Sequence, residues 1–94
     1  MIRHIVCWKL NDENRKENIA RMKKELESLV GKIEGLISLE VGQCFEGGSG
    51  DAALDSTFVS REALERYRTH PEHVKVADFI HTIMVERTAA DYEM

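Results

Sequence analysis

The sequence has few cysteines, a single proline and no long apolar run. Of its 94 residues, two are cysteine, one is proline and 6% are aromatic. Small secreted domains usually carry four or more cysteines, so Cys7 and Cys44 are expected to be free thiols in the reducing cytoplasm. No apolar stretch approaches the ~20 residues that a membrane-spanning helix needs, and we expect no membrane partner.

The charge balance excludes a further class of partner. Lys and Arg total 13 against 17 Asp and Glu, which gives a net charge of −4 at pH 7. An acidic chain is not typical of a general nucleic-acid binder. With 43% hydrophobic and 32% charged residues, residues 1–94 are predicted to form one globular domain.

Four stretches are predicted to be β-strands. They cover residues 2–10, 36–45, 52–59 and 85–92, and the first two alternate between two sets of side chains. The Gly-rich segment 47–51 predicts the turn between the second and third strands. One face of the first strand carries Ile2, His4, Val6, Trp8 and Leu10. One face of the second carries Ile37, Leu39 and Val41.

Helices separate these strands. An Asn14–Glu17 capping box is one candidate start for the first helix, with Asn11 or Asp12 as the alternative cap, and Gly31 is expected to end it. Its apolar stripe comprises Ile19, Met22, Leu26, Leu29 and Val30.

The second helical element is predicted to break at Pro71. Ser60 is a candidate cap for its first part, and a residue before proline avoids the helical region. Residues 71–84 then form a helix that is apolar around most of its circumference, so we expect it to be buried on more than one side.

The resulting order, β-α-β-β-α-β, predicts the α+β class. It is typical of a ferredoxin-like domain, with a four-stranded antiparallel sheet and helices on one face. The open face is expected to expose apolar side chains from several strands. A homodimer formed through this face, with twofold symmetry, would cover it.

Several motifs together resemble one known family. They are Met-Ile-Arg-His-Ile-Val at 1–6, Ser-Arg-Glu-Ala-Leu at 60–64 and, most specific, Tyr-x-x-His-Pro-x-His at 67–73. Over essentially the whole chain the sequence resembles the stress-responsive α/β-barrel (Dabb) family. The resemblance implies a ferredoxin-like domain whose sheet packs against that of a second copy to form a dimeric α/β barrel.

The family also implies candidate catalytic residues. A plant branch that resembles olivetolic acid cyclase closes a linear polyketide by aldol condensation, without a metal or organic cofactor. By resemblance to that branch, Tyr67 and His73 are the candidate catalytic pair and His4 lines the cavity. A further cavity histidine of the plant enzymes falls at Ala52 here, a departure that sets this chain apart from the plant substrate.

The chemistry of these residue types fits such a reaction. A histidine with a pKa of about 6.5 can take and return a proton near neutrality, and aldol closure needs a base and a donor for the developing oxyanion. Whether Tyr67 meets His73 is left open by the break at Pro71. Trp8 and His70 complete the candidate ligand-binding set with His4, and no cofactor or metal is expected.

Each candidate also has a structural interpretation. His70 is suited to cap the helix that Pro71 begins, and His4 can be a hydrogen-bonded core residue. Trp8 can belong to the dimer core, and His81 is expected to be structural or exposed. The sequence thus predicts a homodimeric barrel with an internal cavity for a small, largely apolar organic molecule. The alternatives are a cofactor-independent acid–base enzyme and a purely structural stress protein.

Overall fold

A four-stranded antiparallel sheet carries three helices on one face. The computed structural model describes all 94 residues. Its elements are β1 (Ile2–Leu10), α1 (Arg15–Glu27), β2 (Leu36–Gln43), β3 (Ala52–Phe58), α2 (Arg61–Thr69), α3 (Pro71–Ile83) and β4 (Met84–Glu93). The strands lie in the order β2-β3-β1-β4. The predicted α+β, ferredoxin-like order with its helix break is confirmed. None of the helices is long and apolar enough to cross a membrane.

Both ends of α1 differ from the prediction. Asn14 stands at the N-cap, but its backbone is left-handed (φ 52°) and its side chain makes no capping hydrogen bond. A capping side chain reaches the first-turn amides from extended backbone, so the predicted capping box does not form. At the other end the helix stops at Glu27, before Gly31. Leu29 is buried and Val30 is exposed, so the apolar stripe ends at Leu29.

An irregularity in β2 overturns the predicted facing of its side chains. Leu36 pairs with Phe58 and Ser38 pairs with Thr57, so Ile37 is an extra residue in the ladder. A bulge of this kind shifts the alternation by one position. Ile37 therefore points to solvent, 43% exposed, and Leu36 joins Leu39 and Val41 in the core.

Burial of α3 is confined to one side, contrary to the prediction. Val76, Ile80 and Ile83 are buried, whereas Val74 is 38% exposed. Phe79 is half-buried beneath the Arg21 guanidinium, 3.7 Å from the ring centroid. The helix packs against α1 and α2 and leaves its remaining side to solvent.

One hydrophobic core fills the space between sheet and helices. It contains 21 residues, with Met22 and Phe58 fully buried, and each such side chain contributes about 1.5–3 kcal/mol. The only buried polar residues are His4 and Ser56. The Ser56 hydroxyl donates to the His4 carbonyl at 2.8 Å, and His4 is the one buried histidine.

The open face of the sheet is mixed in character, because charged side chains lie among the predicted apolar ones, which include Ile5 and the 52%-exposed Tyr92 of β4. On β1 it carries Arg3, Ile5, Cys7 and Lys9, the residues that alternate with the buried ones. Arg3 forms an ion pair with Asp55 of β3 at 3.3 Å. Alternation places these charged side chains beside Ile5, so the open face offers both charged and apolar surface.

Gly35 and Gly31 offer a matched test of packing. Both have positive φ, 89° and 92°, but a Cβ on Gly35 would lie 2.6 Å from the Ala63 Cβ, whereas one on Gly31 meets nothing within 4 Å. We expect Gly31→Ala to cost about 1–2 kcal/mol from backbone strain alone. Gly35→Ala should cost at least ~1 kcal/mol more, because α2 must move. Urea unfolding measures both losses, and equal losses would contradict the close approach of α2.

Candidate functional site

A small cavity lies between the sheet and the helices, with most of its lining residues from β1, α3 and β4. Its volume is about 50 Å³, which is room for roughly four water-sized groups. The wall is mostly apolar, and its polar side chains come from His4, Tyr67, His73, His81 and Arg87. The exposed residues His81 and Arg87 mark the mouth, while His4 and Tyr67 are buried in the interior.

His4 is held in place by a carboxylate from the neighbouring strand. The β1–β4 register sets it opposite Asp91, and its Nδ1 forms a hydrogen bond with the Asp91 carboxylate. The second Asp91 oxygen accepts from Arg68 Nη2 at 2.7 Å. Partial burial opposes the charge on Asp91, but His4 and Arg68 together hold the pKa of this carboxyl below its usual value. The hydrogen bond at Nδ1 thereby fixes the His4 ring and leaves its Nε2 edge free for the cavity.

Tyr67 supplies a hydroxyl to the cavity wall. It lies in α2, 2% exposed, with its ring 4.9 Å from that of Phe58 and 6.3 Å from that of His4. Burial raises the pKa of Tyr67 well above its usual range, with Arg87 opposing the effect. The phenol is therefore protonated at neutral pH. Its hydroxyl makes none of the hydrogen bonds found within the chain, although buried tyrosines usually find a partner.

The break at Pro71 brings His73 onto Tyr67. His70 is extended (φ −65°, ψ 133°), as a residue before proline must be, and α3 starts on a new axis. The ring centroids of Tyr67 and His73 are 4.1 Å apart, tilted by 35°. The sequence left this meeting open, and the structure places the two side chains in contact.

The surroundings of His73 leave it neutral with one free nitrogen. Nδ1 lies 3.3 Å from the Arg68 carbonyl, an acceptor, so Nδ1 carries the proton and Nε2 keeps its lone pair. Burial lowers the pKa of His73, although the hydrogen bond to Arg68 works in the other direction. A neutral imidazole with a free Nε2 is suited to act as a general base.

The remaining predicted site residues divide between the cavity and the fold. Trp8 lines the cavity and is 5% exposed. His70 does not line it: its Nδ1 accepts from the Glu72 amide at 3.1 Å and caps α3. The capping interpretation therefore describes His70, and we leave it out of the ligand site. His81 is exposed, as expected, and stands at the mouth.

Sequence reasoning did not find Arg87 and did not place Asp91 in the site. Both lie on β4 opposite residues of β1, Arg87 against Trp8 and Asp91 against His4. Their positions depend on pairing between strands about 80 residues apart, for which the local pattern holds no signal. No group of three or more His, Cys, Asp and Glu side chains is arranged to hold a metal ion.

The fold and the site together define a ferredoxin-like α+β domain with a cavity between its sheet and its helices. A family model described as the stress responsive A/B barrel domain, Dabb, matches residues 2–94. The chain belongs to this family, as the motifs at 1–6, 60–64 and 67–73 indicated.

Solved structures share this fold across the whole chain. A dimeric protein of unknown function from Bacteroides fragilis is 31% identical with a TM-score of 0.92, covering 99% of this chain and 95% of its own. A protein from Arabidopsis thaliana is 26% identical with a TM-score of 0.87, covering 100% and 95%. Hydroxynitrile lyase from Passiflora edulis is 15% identical with a TM-score of 0.85, covering 99% of this chain and 92% of its own. At this identity the likeness shows only that the two chains share a fold. A search among curated proteins gave no match.

The buried state of His73 predicts a pH dependence of stability. Because burial lowers its pKa in the folded state, the unfolded chain binds the proton at higher pH than the native one. Stability is therefore full above the ordinary histidine pKa of about 6.5 and falls as the pH drops through the folded-state pKa of His73.

Urea unfolding between about pH 7.5 and 5.5, a range that brackets the ordinary histidine pKa, measures this loss of stability. The carboxyls with lowered pKa, Glu27 and Asp91, titrate below this window, and Cys44, whose pKa burial raises, titrates above it. His73→Gln should flatten the slope. A variant that keeps the wild-type slope would contradict the assignment.

Proposed function

We propose that this protein is a homodimeric Dabb barrel whose cavity binds a small, largely apolar organic molecule and acts on it by cofactor-independent acid–base chemistry. One observation carries the proposal. A neutral imidazole and a protonated phenol without a partner in the chain lie in contact, 4.1 Å between ring centroids, on the wall of a mostly apolar cavity. In this pair His73 is the base and Tyr67 is the hydrogen-bond donor.

The pair fits proton abstraction beside a carbonyl group. His73 Nε2 takes the proton from the carbon beside the carbonyl group. The electron pair of that C–H bond forms a C=C bond to the carbonyl carbon, and the π pair of the C=O bond moves to the oxygen, which gives an enolate. The Tyr67 hydroxyl donates a hydrogen bond to this oxygen. In an aldol closure the enolate carbon then forms a bond to a second carbonyl carbon, and His73 returns its proton to the new alkoxide.

Cavity size limits the substrate. About 50 Å³ holds only the reacting end of a molecule, well short of a linear polyketide. Ala52, where the plant cyclases have a cavity histidine, is fully buried and does not line this cavity. Both features favour a compact carbonyl compound over a long chain.

Dimerisation is supported by relatives and by symmetry. The Bacteroides fragilis protein, 31% identical, is described as dimeric, and face-to-face packing of two sheets about a twofold axis is self-complementary. On the open face, Arg3 and Asp55 of one copy can meet the opposite charges of the other, beside Ile5. Cys7 and Cys44 are both free, and the compartment we propose for the protein is the reducing cytoplasm.

A second candidate is a purely structural stress protein. The cavity is far smaller than the ~300–1,000 Å³ of typical ligand pockets, and this observation favours a packing role for His4, Tyr67 and His73. Catalysis on a small probe separates the two candidates.

Exchange of the protons of acetone for deuterium in D2O, followed by proton NMR, tests the acid–base pair. The wild type should accelerate exchange, and His73→Gln should remove the acceleration, since it deletes the base. Tyr67→Phe should slow it by about 10²-fold, because the enolate loses its donor. Tyr92→Phe deletes the same atom from a half-exposed residue outside the cavity and should leave the rate unchanged. Equal rates in the wild type and His73→Gln would contradict the proposal.

A further inference from the structure

We propose that the cavity selects small organic anions, with the charged end of the ligand paired to Arg87 at the mouth and its apolar body inside. This inference rests on the proposed function, because it requires that the cavity bind a ligand. It adds the chemical class: a compact molecule that carries a carboxylate or a similar oxyanion.

Strand register places Arg87 at the mouth. It is paired with Trp8, and residues directly opposite in an antiparallel ladder share a face. Trp8 faces the helices and lines the cavity, so the Arg87 side chain leaves the sheet on the same side. No helix makes more than weak contact with β4, and Arg87 is therefore exposed while Trp8 is buried.

No protein carboxylate neutralises Arg87. None of the residues that line the cavity is acidic, and the ion pairs in the chain all involve other basic residues. Asp91 lies on the same face of β4 as Arg87, four residues further along the strand. Its two carboxylate oxygens are held by His4 and Arg68. Glu86 is opposite Lys9 and so projects from the other face.

The charge of Arg87 reaches the candidate catalytic pair. Its guanidinium is one of the groups that lower the pKa of His73, after burial, and it opposes the effect of burial on Tyr67. Arg87, His73 and Tyr67 line the same cavity of about 50 Å³, so an anion bound at Arg87 would lie close to both side chains. The carbonyl of a short keto acid could then extend inward to the Tyr67 hydroxyl.

Guanidinium chemistry accounts for the selectivity. Arginine stays charged at every working pH, and its planar fork donates two parallel hydrogen bonds to a carboxylate. A neutral ligand of the same shape loses this charge-assisted contact. We expect a preference of at least about tenfold for the anion.

Butyrate and butyramide are the probes for this preference. They have the same number of non-hydrogen atoms and differ in charge, and their three-carbon tail suits a cavity of about four water-sized groups. The fluorescence of Trp8, the only tryptophan in the chain, reports binding at the cavity wall. The titrations use a buffer that contains no carboxylate.

Four proteins are compared: the wild type, Arg87→Gln, Arg87→Lys and Lys9→Gln. Lys9 is an exposed cation on the opposite face of the sheet, so Lys9→Gln makes the same change in net charge away from the cavity. We expect at least about tenfold tighter binding of butyrate than butyramide by the wild type and Lys9→Gln. Arg87→Gln should bind the two equally, with the affinity for butyramide unchanged, and Arg87→Lys should keep part of the preference.

Other outcomes overturn different claims. If the wild type binds butyramide as tightly as butyrate, the cavity is a ligand site but does not select anions, and only this inference fails. If Lys9→Gln loses the preference as Arg87→Gln does, net charge and not Arg87 sets it, which also overturns the inference. If neither probe binds the wild type at any concentration up to solubility, this inference and the proposed function both fail.

Discussion

The geometry of the site depends on the backbone constraint that Pro71 imposes. In one continuous helix, positions 67 and 73 would differ by six residues, about 240° around the axis, and their side chains would point away from each other. Proline ends α2 by keeping His70 extended, and His70 then caps α3 with its ring nitrogen, 3.1 Å from the Glu72 amide. The new helix axis turns His73 back over Tyr67.

Around this contact the structure concentrates polar groups that the core would otherwise exclude. His4 is buried and satisfied by Asp91, which Arg68 holds in turn, whereas the Tyr67 hydroxyl has no protein partner. Tyr67 lines the cavity, so its hydroxyl is free to donate a hydrogen bond to the carbonyl oxygen of a molecule bound there.

Much of the fold follows from local patterns, and each failure has its own local cause. Alternation and the Pro71 break predicted the order of elements, and Ser60 caps α2 as expected, accepting from the Ala63 amide at 3.1 Å. Ile37 was assigned to the wrong face because the alternation of apolar and polar residues in the sequence does not reveal the bulge at this position. On the open face, Ile5 and Cys7 lie between the charged residues Arg3 and Lys9, which all alternate with the buried side chains of β1.

The site was predictable only in part. Tyr67 and His73 came from resemblance to a family, since their spacing within a helix would have argued against contact. Arg87 was missed because its place at the cavity mouth follows from strand pairing with Trp8, a residue near the other end of the sequence. Long-range register of this kind is set by the packing of the whole sheet and is absent from any local window of sequence.

Native mass spectrometry of the freshly purified protein tests the central claim most directly, because it reads assembly and cavity occupancy together. The account predicts a dimer that carries a discrete small organic adduct. In Ala77→Phe, which adds bulk at a half-buried position of the cavity wall, the dimer should remain and the adduct should be lost. A monomer, or a dimer of bare protein mass in the wild type, would contradict it.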